Sequence, residues 1–292
     1  MPELPEIEAY LHALEPRIVG STVEDVRIAS FSLLKTYDPT TDALIGRDVE
    51  QIHRIGKRIS IDFTDDVHCV IHLMVAGRFR WNDALKPIPK RGGLAAIDFS
   101  TGSLLLTEAG TKRRASMSIL RADDLPGVDP GGIEIADASL EDFTAALQTN
   151  RHTLKRALTD ARYLSGVGGA FADEILFRAH LSPTQMNMNL SADELAALFE
   201  ATKSTLSDWT EKRIEEAGDG FPTRVTAFHP DMAVHGKFGE DCPVCGAPIQ
   251  RIVAGGRETN YCPGCQTNGR ILADRSLSRL LKDDWPKTLD EL

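Results

Sequence analysis

The first residues of the chain could supply an amine nucleophile. The sequence begins Met1-Pro2-Glu3-Leu4-Pro5-Glu6, and removal of Met1, expected before a small residue, would leave a secondary amine on Pro2. An α-amino group has an ordinary pKa of about 8, so a useful fraction is unprotonated at neutral pH. Such an amine condenses with an aldehyde to an iminium, which acidifies the neighbouring carbon and permits elimination without a cofactor. Pro2 is therefore the candidate nucleophile.

The carboxylates of Glu3 and Glu6 could move protons around this amine. Glu3 follows Pro2 directly and Glu6 lies one helical turn later, so both can face the amine at a helix start, where the macrodipole favours negative charge. Such a pair can shuttle protons to a leaving group. Taken alone, these residues are better explained as a charged first turn on a surface helix. The motifs further along the chain reverse that preference.

Four of the five cysteines form two C-x-x-C pairs separated by 16 residues. That spacing is typical of a tetrahedral zinc site, whose ligands would be Cys242, Cys245, Cys262 and Cys265. Because four thiolates close the coordination sphere, we expect one structural Zn²⁺ that holds a hairpin rigid, with no need for His229 or His235 as ligands. The fifth cysteine, Cys69, is expected to be inert in a reducing compartment. Arg257, between the pairs, could fork onto a phosphate.

The net charge is the main argument against a polyanionic partner. The formal charge is -10, whereas a surface that binds polyanions needs Lys and Arg to replace counterions. Basic residues do cluster locally, and a positive groove could form on an acidic body, although ordinary solvated strand ends explain the clusters equally well. The clusters are Arg54, Lys57 and Arg58; Arg78 and Arg80; and Lys112-Arg113-Arg114.

A glycine-rich run, Gly166-Val167-Gly168-Gly169, lies between two helical stretches. It supplies free backbone N–H groups near a helix start and could cradle a phosphate. A glycine turn between packed helices is the commoner explanation of such a run. The run alone therefore does not establish a binding site.

The elements that position these residues fall into a β-rich part and a helical part. Pro5, followed by apolar residues at helical spacing, predicts an opening helix with Pro16 at its exit. Alternating runs from Ser21 to about Leu120 predict an antiparallel β-sandwich. Capping residues at Ser139 and Ser191 predict helices beyond a Pro/Gly-rich linker. The fold class is α+β, with expected boundaries at 1–124 (helix and β-sandwich), 125–138 (linker), 139–235 (helical domain), 236–270 (zinc finger) and 271–292 (tail).

Several of these motifs, in this order, resemble the formamidopyrimidine-DNA glycosylase/endonuclease VIII family. They are Pro2-Glu3-Leu4-Pro5-Glu6-Ile7-Glu8, Lys57 after a β run, the Gly166-Val167-Gly168 turn and the cysteine pairs, and the resemblance extends to about Gln266. It implies a β-sandwich, a helix-two-turn-helix domain and a zinc-finger hairpin, with DNA in the cleft between them. It also implies excision of an everted base followed by strand cleavage.

The resemblance also assigns roles to single residues. Pro2 resembles the Schiff-base nucleophile, Glu3 the general acid and Glu6 a supporting carboxylate. Lys57 resembles a phosphate-contacting lysine at the lesion, and Arg257 the finger arginine that grips the same backbone. The stretch from Phe228 to Gly236 resembles the end of a loop that closes over an everted base.

Three positions depart from the family pattern. Gly169 stands where the family usually has an asparagine, so phosphate binding there should depend on the backbone N–H. Met74 is displaced by one position from the family's void-filling methionine, and a one-residue shift on a strand would turn its side chain to the other face. Arg113 is retained, but Ala115 replaces an aromatic wedge. The tail beyond Leu272, with leucines at helical spacing, exceeds the family pattern and is expected to pack on the body.

The leading hypothesis from the sequence is a base-excision repair enzyme: a bifunctional DNA glycosylase and abasic-site lyase that removes oxidised bases and cleaves the strand by β,δ-elimination. One alternative is a lyase acting mainly on abasic or single-stranded DNA. A second is a damaged-DNA binder without turnover, and a zinc-ribbon module that binds protein is the weakest. We expect a monomer that binds damaged DNA, a cytoplasmic location (nucleoid-associated if bacterial) and no membrane contact, because the sequence has neither an apolar span nor a signal peptide.

Overall fold

The computed structural model describes residues 1–110, 112–223, 225–226, 228–274 and 277–292. Within these residues no helix is long and apolar enough to cross a membrane. The helices are Leu4–Ile18 (α1), Leu140–Leu147 (α2), Leu154–Leu158 (α3), Gly169–Arg178 (α4), Ala192–Ala217 (α5), Pro263–Thr267 (α6) and Leu277–Leu281 (α7). The strands are Val23–Ile28 (β1), Val49–Ile55 (β2), Arg58–Phe63 (β3), Val67–His72 (β4), Gly77–Asn82 (β5), Gly93–Phe99 (β6), Gly102–Glu108 (β7), Ser116–Arg121 (β8), Gln250–Ala254 (β9) and Arg257–Tyr261 (β10).

The chain forms two compact units. Unit 1 comprises Met1–Pro130 and Asp208–Ala227, and unit 2 comprises Gly131–Ser207 and Phe228–Leu292. Unit 1 therefore holds the candidate amine, and unit 2 holds the cysteine pairs. The domain boundaries expected from the sequence stay predictions.

Unit 1 contains two antiparallel sheets, with strand orders β1-β6-β7-β5 and β2-β3-β4-β8. Along β3 the apolar residues Ile59, Ile61 and Phe63 are at most 1% exposed and belong to one core with residues from both sheets. Alternation along a strand places such residues on one face. The predicted α+β fold class is confirmed in this unit. In the first of these sheets β5 is an edge strand.

Helix α1 packs its apolar face into the same core through Ile7, Tyr10 and Leu14. Pro5 lies in its first turn, as predicted, where its missing N–H costs nothing. The helix continues to Ile18, two residues beyond the exit predicted at Pro16. A proline in the last turn removes only one helical hydrogen bond, so the end of the helix tolerates it.

Unit 2 is helical apart from the hairpin formed by β9 and β10. The capping pairs expected from the sequence are present at both predicted helix starts. Ser139 Oγ accepts from the N–H of Asp142 over 3.1 Å, and Ser191 Oγ accepts from the N–H of Glu194 over 3.2 Å. These reciprocal caps satisfy N–H groups that a helix start leaves unpaired.

Candidate functional site

The start of α1 holds the chain terminus beside two carboxylates. Glu3 is the N-cap residue, and its backbone N–H donates to Glu6 Oε2 over 2.9 Å in a capping box. Met1 is half-buried and Pro2 is buried. Burial lowers the pKa of the Met1 ammonium, Glu3 opposes that shift and Arg78 adds to it. An amine in these surroundings loses its proton more readily than one in water.

Glu6 is 1% exposed, and its other oxygen accepts from Arg213 Nη2 over 3.2 Å. Arg213 is itself buried and also donates to the carbonyl of Thr226 over 2.8 Å. Burial and the neighbouring Glu3 raise the pKa of Glu6 to about 7, although hydrogen bonds from the Glu3 backbone and Arg213 act in the opposite direction. Glu6 can therefore take up or release a proton near neutral pH.

Lys57 lies in the two-residue turn between β2 and β3. The preceding Gly56 has a φ of 61°, which tight hairpin turns require and glycine adopts without strain. Arg54 fixes the turn to α1, since it donates to Gly56 O over 2.9 Å and pairs with Glu8 over 2.7 Å. Burial lowers the pKa of the Lys57 ammonium, and attraction to Glu3 opposes this. Lys57 thus lies within electrostatic range of the Glu3 carboxylate.

His72, at the end of β4, belongs to the same group of side chains, although the sequence did not single it out. It is paired in register with Arg58, and its Nδ1 accepts the N–H of Met74 over 2.9 Å. Burial lowers its pKa to about 4, with further effects from Arg58, Lys57 and the terminal ammonium. The ring is therefore neutral at pH 7, and with Nδ1 accepting, its proton lies on Nε2. The signal that could have identified His72 in the sequence is a histidine at the end of a strand that pairs beside the Lys57 turn.

The turn between β4 and β5 places Val75, and not Met74, at its tip. Met74 is half-buried with a φ of 51°, whereas Val75 is 58% exposed. The N–H of Gly77 donates to Leu73 O over 2.8 Å, and an added Cβ on Gly77 would lie 2.2 Å from that oxygen. The strand ends before Met74, so the expected switch of strand face does not apply to it. The role predicted for Met74 in DNA binding stays a prediction.

Arg113 lies exposed in the loop between β7 and β8. The base of this loop is fixed by Glu108, which is 2% exposed and accepts the N–H groups of Arg114 over 2.8 Å and Ala115 over 3.1 Å. Ala115 is buried in the core of unit 1. The position where an aromatic wedge was expected therefore faces inward.

In unit 2, α4 begins at Gly169, with Gly168 as its N-cap residue. The positive end of a helix dipole suits an anion. An added Cβ on Gly169 would meet nothing within 4 Å, and its φ lies outside the left-handed region. The position could therefore carry a side chain without strain.

Asp173, one turn further along α4, ties that helix to the hairpin. It is fully buried and accepts from Lys155 Nζ over 2.6 Å and from the N–H of Asn260 over 3.2 Å. Lys155 also donates to the carbonyl of Glu258 over 2.7 Å, and His235 Nδ1 lies 2.8 Å from Asp173 Oδ2. The Asp173 carboxylate is thus fully paired where water is excluded. His235 thus has a partner in Asp173.

Arg257 opens β10 directly after the Gly255-Gly256 turn, where φ is 57° and 74°. Its side chain is exposed, and it forms no hydrogen bond or ion pair with another residue in the described part of the chain. The Lys155–Asp173 pair holds the strand just beyond it. The guanidinium is therefore presented on a fixed strand and is available to a phosphate.

The cysteine sulfurs meet the distances that one metal ion requires. All four lie within 4.8 Å of one another, with Sγ–Sγ distances of 3.8 and 3.4 Å for the two closest pairs across the knuckles. Zn–S bonds of about 2.3 Å at tetrahedral corners place sulfurs about 3.8 Å apart. An added Cβ on Gly264 would lie 2.8 Å from Cys245 Sγ, so only glycine leaves the sulfur room. The ligands are Cys242, Cys245, Cys262 and Cys265.

Backbone hydrogen bonds close a loop within the tail and join it to the end of the finger. Ile271 N–H donates to Lys287 O over 2.8 Å, and Leu289 N–H donates to Gly269 O over 2.9 Å. Asp274 is 2% exposed, and its carboxylate accepts the N–H of Val253 in β9 over 2.7 Å and that of Leu277 over 3.0 Å. These hydrogen bonds hold the tail on its own unit, but Leu277, Leu280 and Leu281 are 51%, 77% and 41% exposed, so the expected packing of the tail leucines on the body is wrong.

Comparison with known proteins agrees with this architecture. The formamidopyrimidine-DNA glycosylase N-terminal domain matches residues 1–116, its H2TH domain matches residues 127–218, and the zinc finger found in FPG and IleRS matches residues 239–268. A formamidopyrimidine-DNA glycosylase of Bacillus cereus is 32% identical over 91% of this chain and 99% of its own length.

Two solved structures are similar over 91% of this chain and the whole of theirs. MutM in complex with DNA containing carbocyclic 8-oxo-G is 26% identical, with a TM-score of 0.79. The Lactococcus lactis Fpg in complex with DNA containing an oxidized pyrimidine is 25% identical, with a TM-score of 0.80.

The fold and the four-cysteine site define a class of protein that combines a β-sandwich, a helical domain and a zinc finger. This confirms the predicted fold class and the prediction of one structural zinc. The chain belongs to the formamidopyrimidine-DNA glycosylase family. The family resemblance drawn from Pro2-Glu3, Lys57 and the cysteine pairs is thereby confirmed. The roles of individual residues stay predictions.

Proposed function

We propose that this protein is a base-excision repair enzyme, a DNA glycosylase and abasic-site lyase that acts through Pro2. The observation that carries the proposal is that Pro2 is buried at the start of α1 beside Glu3 and Glu6, with Lys57 within electrostatic range of Glu3. The relatives named for this activity and the neighbours bound to damaged DNA support it. Damaged DNA is accordingly the proposed partner.

In the proposed reaction the unprotonated Pro2 amine attacks C1′ of the damaged nucleoside. The N–C1′ bond forms as the bond to the base breaks, and the base leaves with a proton. Protonation of the ring oxygen by Glu3 opens the sugar and gives the iminium. Loss of a C2′ proton then expels the 3′ phosphate, and a second elimination expels the 5′ phosphate. Glu6, with its pKa near neutrality, takes up and returns protons through this sequence.

Phosphate contacts in the proposal come from both units. In unit 1, Lys57 and the neutral His72 present an ammonium and an imidazole N–H. In unit 2, Gly169 offers its own backbone N–H at the start of α4, and Arg257 offers a guanidinium. Charge-assisted contacts of this kind position DNA without reading its sequence. The zinc ion, held by the four cysteines, supplies no reaction step and only keeps the Arg257 hairpin rigid.

A lyase acting mainly on abasic or single-stranded DNA is the second candidate. Two observations favour it: the β4–β5 turn presents Val75, a short side chain, and Ala115 is buried where an aromatic wedge was expected. A protein without large wedges fills the space left by an everted base less well. Equal cleavage of one lesion in duplex and single-stranded oligonucleotides would support this candidate, and a strict duplex requirement would rule it out.

The deciding experiment is borohydride trapping on an oligonucleotide with an abasic site, followed by peptide mapping of the adduct. We expect the wild-type protein to form a covalent adduct at Pro2. Pro2→Gly should lose at least about 90% of the adduct, because a primary amine is a poorer substitute. Glu3→Gln should lose more of its base-release activity than of its trapping. Pro5→Ala, in the same turn but without an amine, is the matched control and should trap normally.

Intact mass of the protein decides what a negative result means. If Met1 is absent and no adduct forms, the lyase proposal is wrong, and a damaged-DNA binder without turnover becomes the better explanation. An adduct that maps to a lysine would contradict the assignment of Pro2 alone.

A further inference from the structure

A cavity of about 580 Å³ lies in unit 1 beside the edge strand β5. Its walls come from β5, from the Lys86–Pro89 segment and from Phe221-Pro222-Thr223. Small-ligand sites usually measure about 300–1,000 Å³. The cavity is therefore large enough for a nucleotide, and none of the roles proposed above uses it.

The charge of the cavity differs from that of the whole chain. Arg78, Arg80 and Lys86 line it, and none of the lining residues in the described part of the chain is acidic. The protein as a whole carries a formal charge of -10. Three cations without a carboxylate on such a body favour an anionic ligand.

Two of these cations lie on the same strand, β5. Arg78 and Arg80 are two residues apart on β5, so their side chains leave the same face about 7 Å apart. Arg80 and Lys86 are exposed, and in the described residues neither side chain forms a hydrogen bond or ion pair. Arg78 donates to Val75 O over 3.1 Å and Gly77 O over 2.6 Å, and it influences the terminal amine. A row of cations thus runs from the proposed catalytic centre into the cavity.

An aromatic ring, Trp81, completes the lining. It alternates with Arg78 and Arg80 along β5, is half-buried against the core with its ring 6.3 Å from that of Phe99, and reaches the cavity with its remaining exposed part. Its indole N–H donates to Asp83 Oδ1 over 2.8 Å. An added Cβ on Gly102 would lie 2.5 Å from the ring, so the absence of a side chain there makes room for the indole. Fixed aromatic rings interleaved with cations are the usual surface for unpaired nucleotides, because every base has a face to stack.

We propose that this cavity binds a single-stranded DNA segment, with phosphates on Arg78, Arg80 and Lys86 and a base against Trp81. The inference rests on the proposed function for its substrate class, and it adds a second binding site for unpaired DNA next to the lesion. Such a site would let the enzyme hold a tail or gap beside the damaged nucleotide.

The test uses calorimetric titration of the full-length protein with an undamaged six-nucleotide single strand and, separately, with inorganic phosphate. We expect Arg80→Ala/Lys86→Ala to weaken single-strand binding at least about tenfold at low salt, and Trp81→Leu to weaken it while Trp81→Phe retains most of it. Lys35→Ala/Arg121→Ala removes the same two charge types from exposed positions beside the other sheet and should bind as wild type does.

The outcomes separate this proposal from the proposed function. Unchanged single-strand affinity in Arg80→Ala/Lys86→Ala, with folding verified by circular dichroism, would overturn the cavity site. Binding of inorganic phosphate as tight as that of the oligonucleotide would also overturn it, since the site would then serve a free anion. Borohydride trapping on a duplex abasic site should be unaffected by the double variant. Failure of wild type to trap would defeat the lyase proposal and leave the titration result standing.

Discussion

A single glycine stands at the start of α4, where phosphate binding is proposed. Gly169 has open space around it and an unstrained φ, so nothing in the fold requires glycine there. We expect Gly169→Asn to tighten binding to an abasic-site duplex by about two- to tenfold, because one added neutral hydrogen bond contributes about 0.5–1.5 kcal/mol. Electrophoretic mobility shift at fixed salt measures the change.

Gly169→Ala is the matched control, because it adds a Cβ and raises helix propensity more than Asn does, without adding an amide. If Ala improves binding as much as Asn does, helix stability and not phosphate contact is responsible. Weaker binding by the Asn variant would show that no phosphate lies within reach of this position.

At the residue scale, the sequence predicted groups of side chains that are close along the chain. It missed side chains that only the pairing of strands brings together. The Pro2-Glu3-Glu6 group and the cysteine quartet were found because each lies within one turn or one knuckle spacing. His72 was missed since its proximity to Lys57 comes from the register of β3 with β4. The exposure of Val75 was missed because a strand was extended through Met74, where a positive φ begins a turn.

At the scale of elements, the sheet β2-β3-β4-β8 contains an ionic cluster centred on Asp62. His68 Nδ1 lies 2.8 Å from Asp62 Oδ1, His53 Nδ1 lies 3.0 Å from Oδ2, and Ser60 donates to Oδ1 over 2.7 Å. Burial opposes ionisation of Asp62, but His53, His68 and Ser60 outweigh it and lower its pKa to about 2. The hydrogen bond to Asp62 raises the pKa of His53. The cluster links all of β2, β3 and β4.

These shifts make the stability of the sheet depend on pH. The raised pKa of His53 means that its contribution is complete below the ordinary value of 6.5 and is lost as pH rises through the raised value. The lowered pKa of Asp62 means that its contribution is complete above 3.8 and is lost as pH falls towards about 2. The cluster therefore stabilises the fold most between about pH 4 and 6.5.

We expect Asp62→Asn to destabilise unit 1 by about 1–3 kcal/mol in that window, and the deficit to shrink as pH rises above it. Thermal unfolding at several pH values measures this. Asp66→Asn, in an exposed turn of the same sheet where φ is 54°, is the control and should follow wild type. A deficit for Asp62→Asn that stays constant with pH would contradict the ionic explanation.

Also at the scale of elements, Asp274 in the tail contacts strand β9 of the finger. Because Asp274 accepts the N–H of Val253, we expect Asp274→Ala to accelerate amide hydrogen exchange in β9 and to weaken DNA binding several-fold while the zinc content is unchanged. Asp290→Ala, exposed in the final turn, should change neither quantity. Unaltered exchange at Val253 in Asp274→Ala would mean that the tail does not brace the hairpin.

The sequence predicted the order of the elements well, because periodicity, caps and cysteine spacing are local signals. It predicted that the tail leucines would pack on the body, but they are exposed. The tail is held by the pairing of Gly269 with Leu289, and these residue types carry no pattern. The contact of α4 with β10 through Lys155 and Asp173 could not be predicted from the sequence either, because a buried ion pair is defined only by the packed structure.

At the scale of the whole molecule, an acidic protein must bind a polyanion through a limited set of cations. With a formal charge of -10, binding should fall steeply with salt if the basic residues contact phosphates. We expect log affinity to decrease linearly with log salt, and Lys57→Ala and Arg257→Ala each to reduce the slope by about 1. Lys35→Ala should leave the slope unchanged. A flat salt dependence in wild type would contradict phosphate contact at these residues.

The indole that Gly102 accommodates gives the protein an optical reporter of its own. The chain has three tryptophans: Trp81 lines the cavity, Trp209 packs beneath Lys212 and Arg213, and Trp285 lies in the tail. Replacing the latter two by phenylalanine would leave Trp81 as the sole emitter. A base stacked on it would quench the emission, so occupancy of the cavity could be followed on the millisecond scale, without a label, while the strand is being cut.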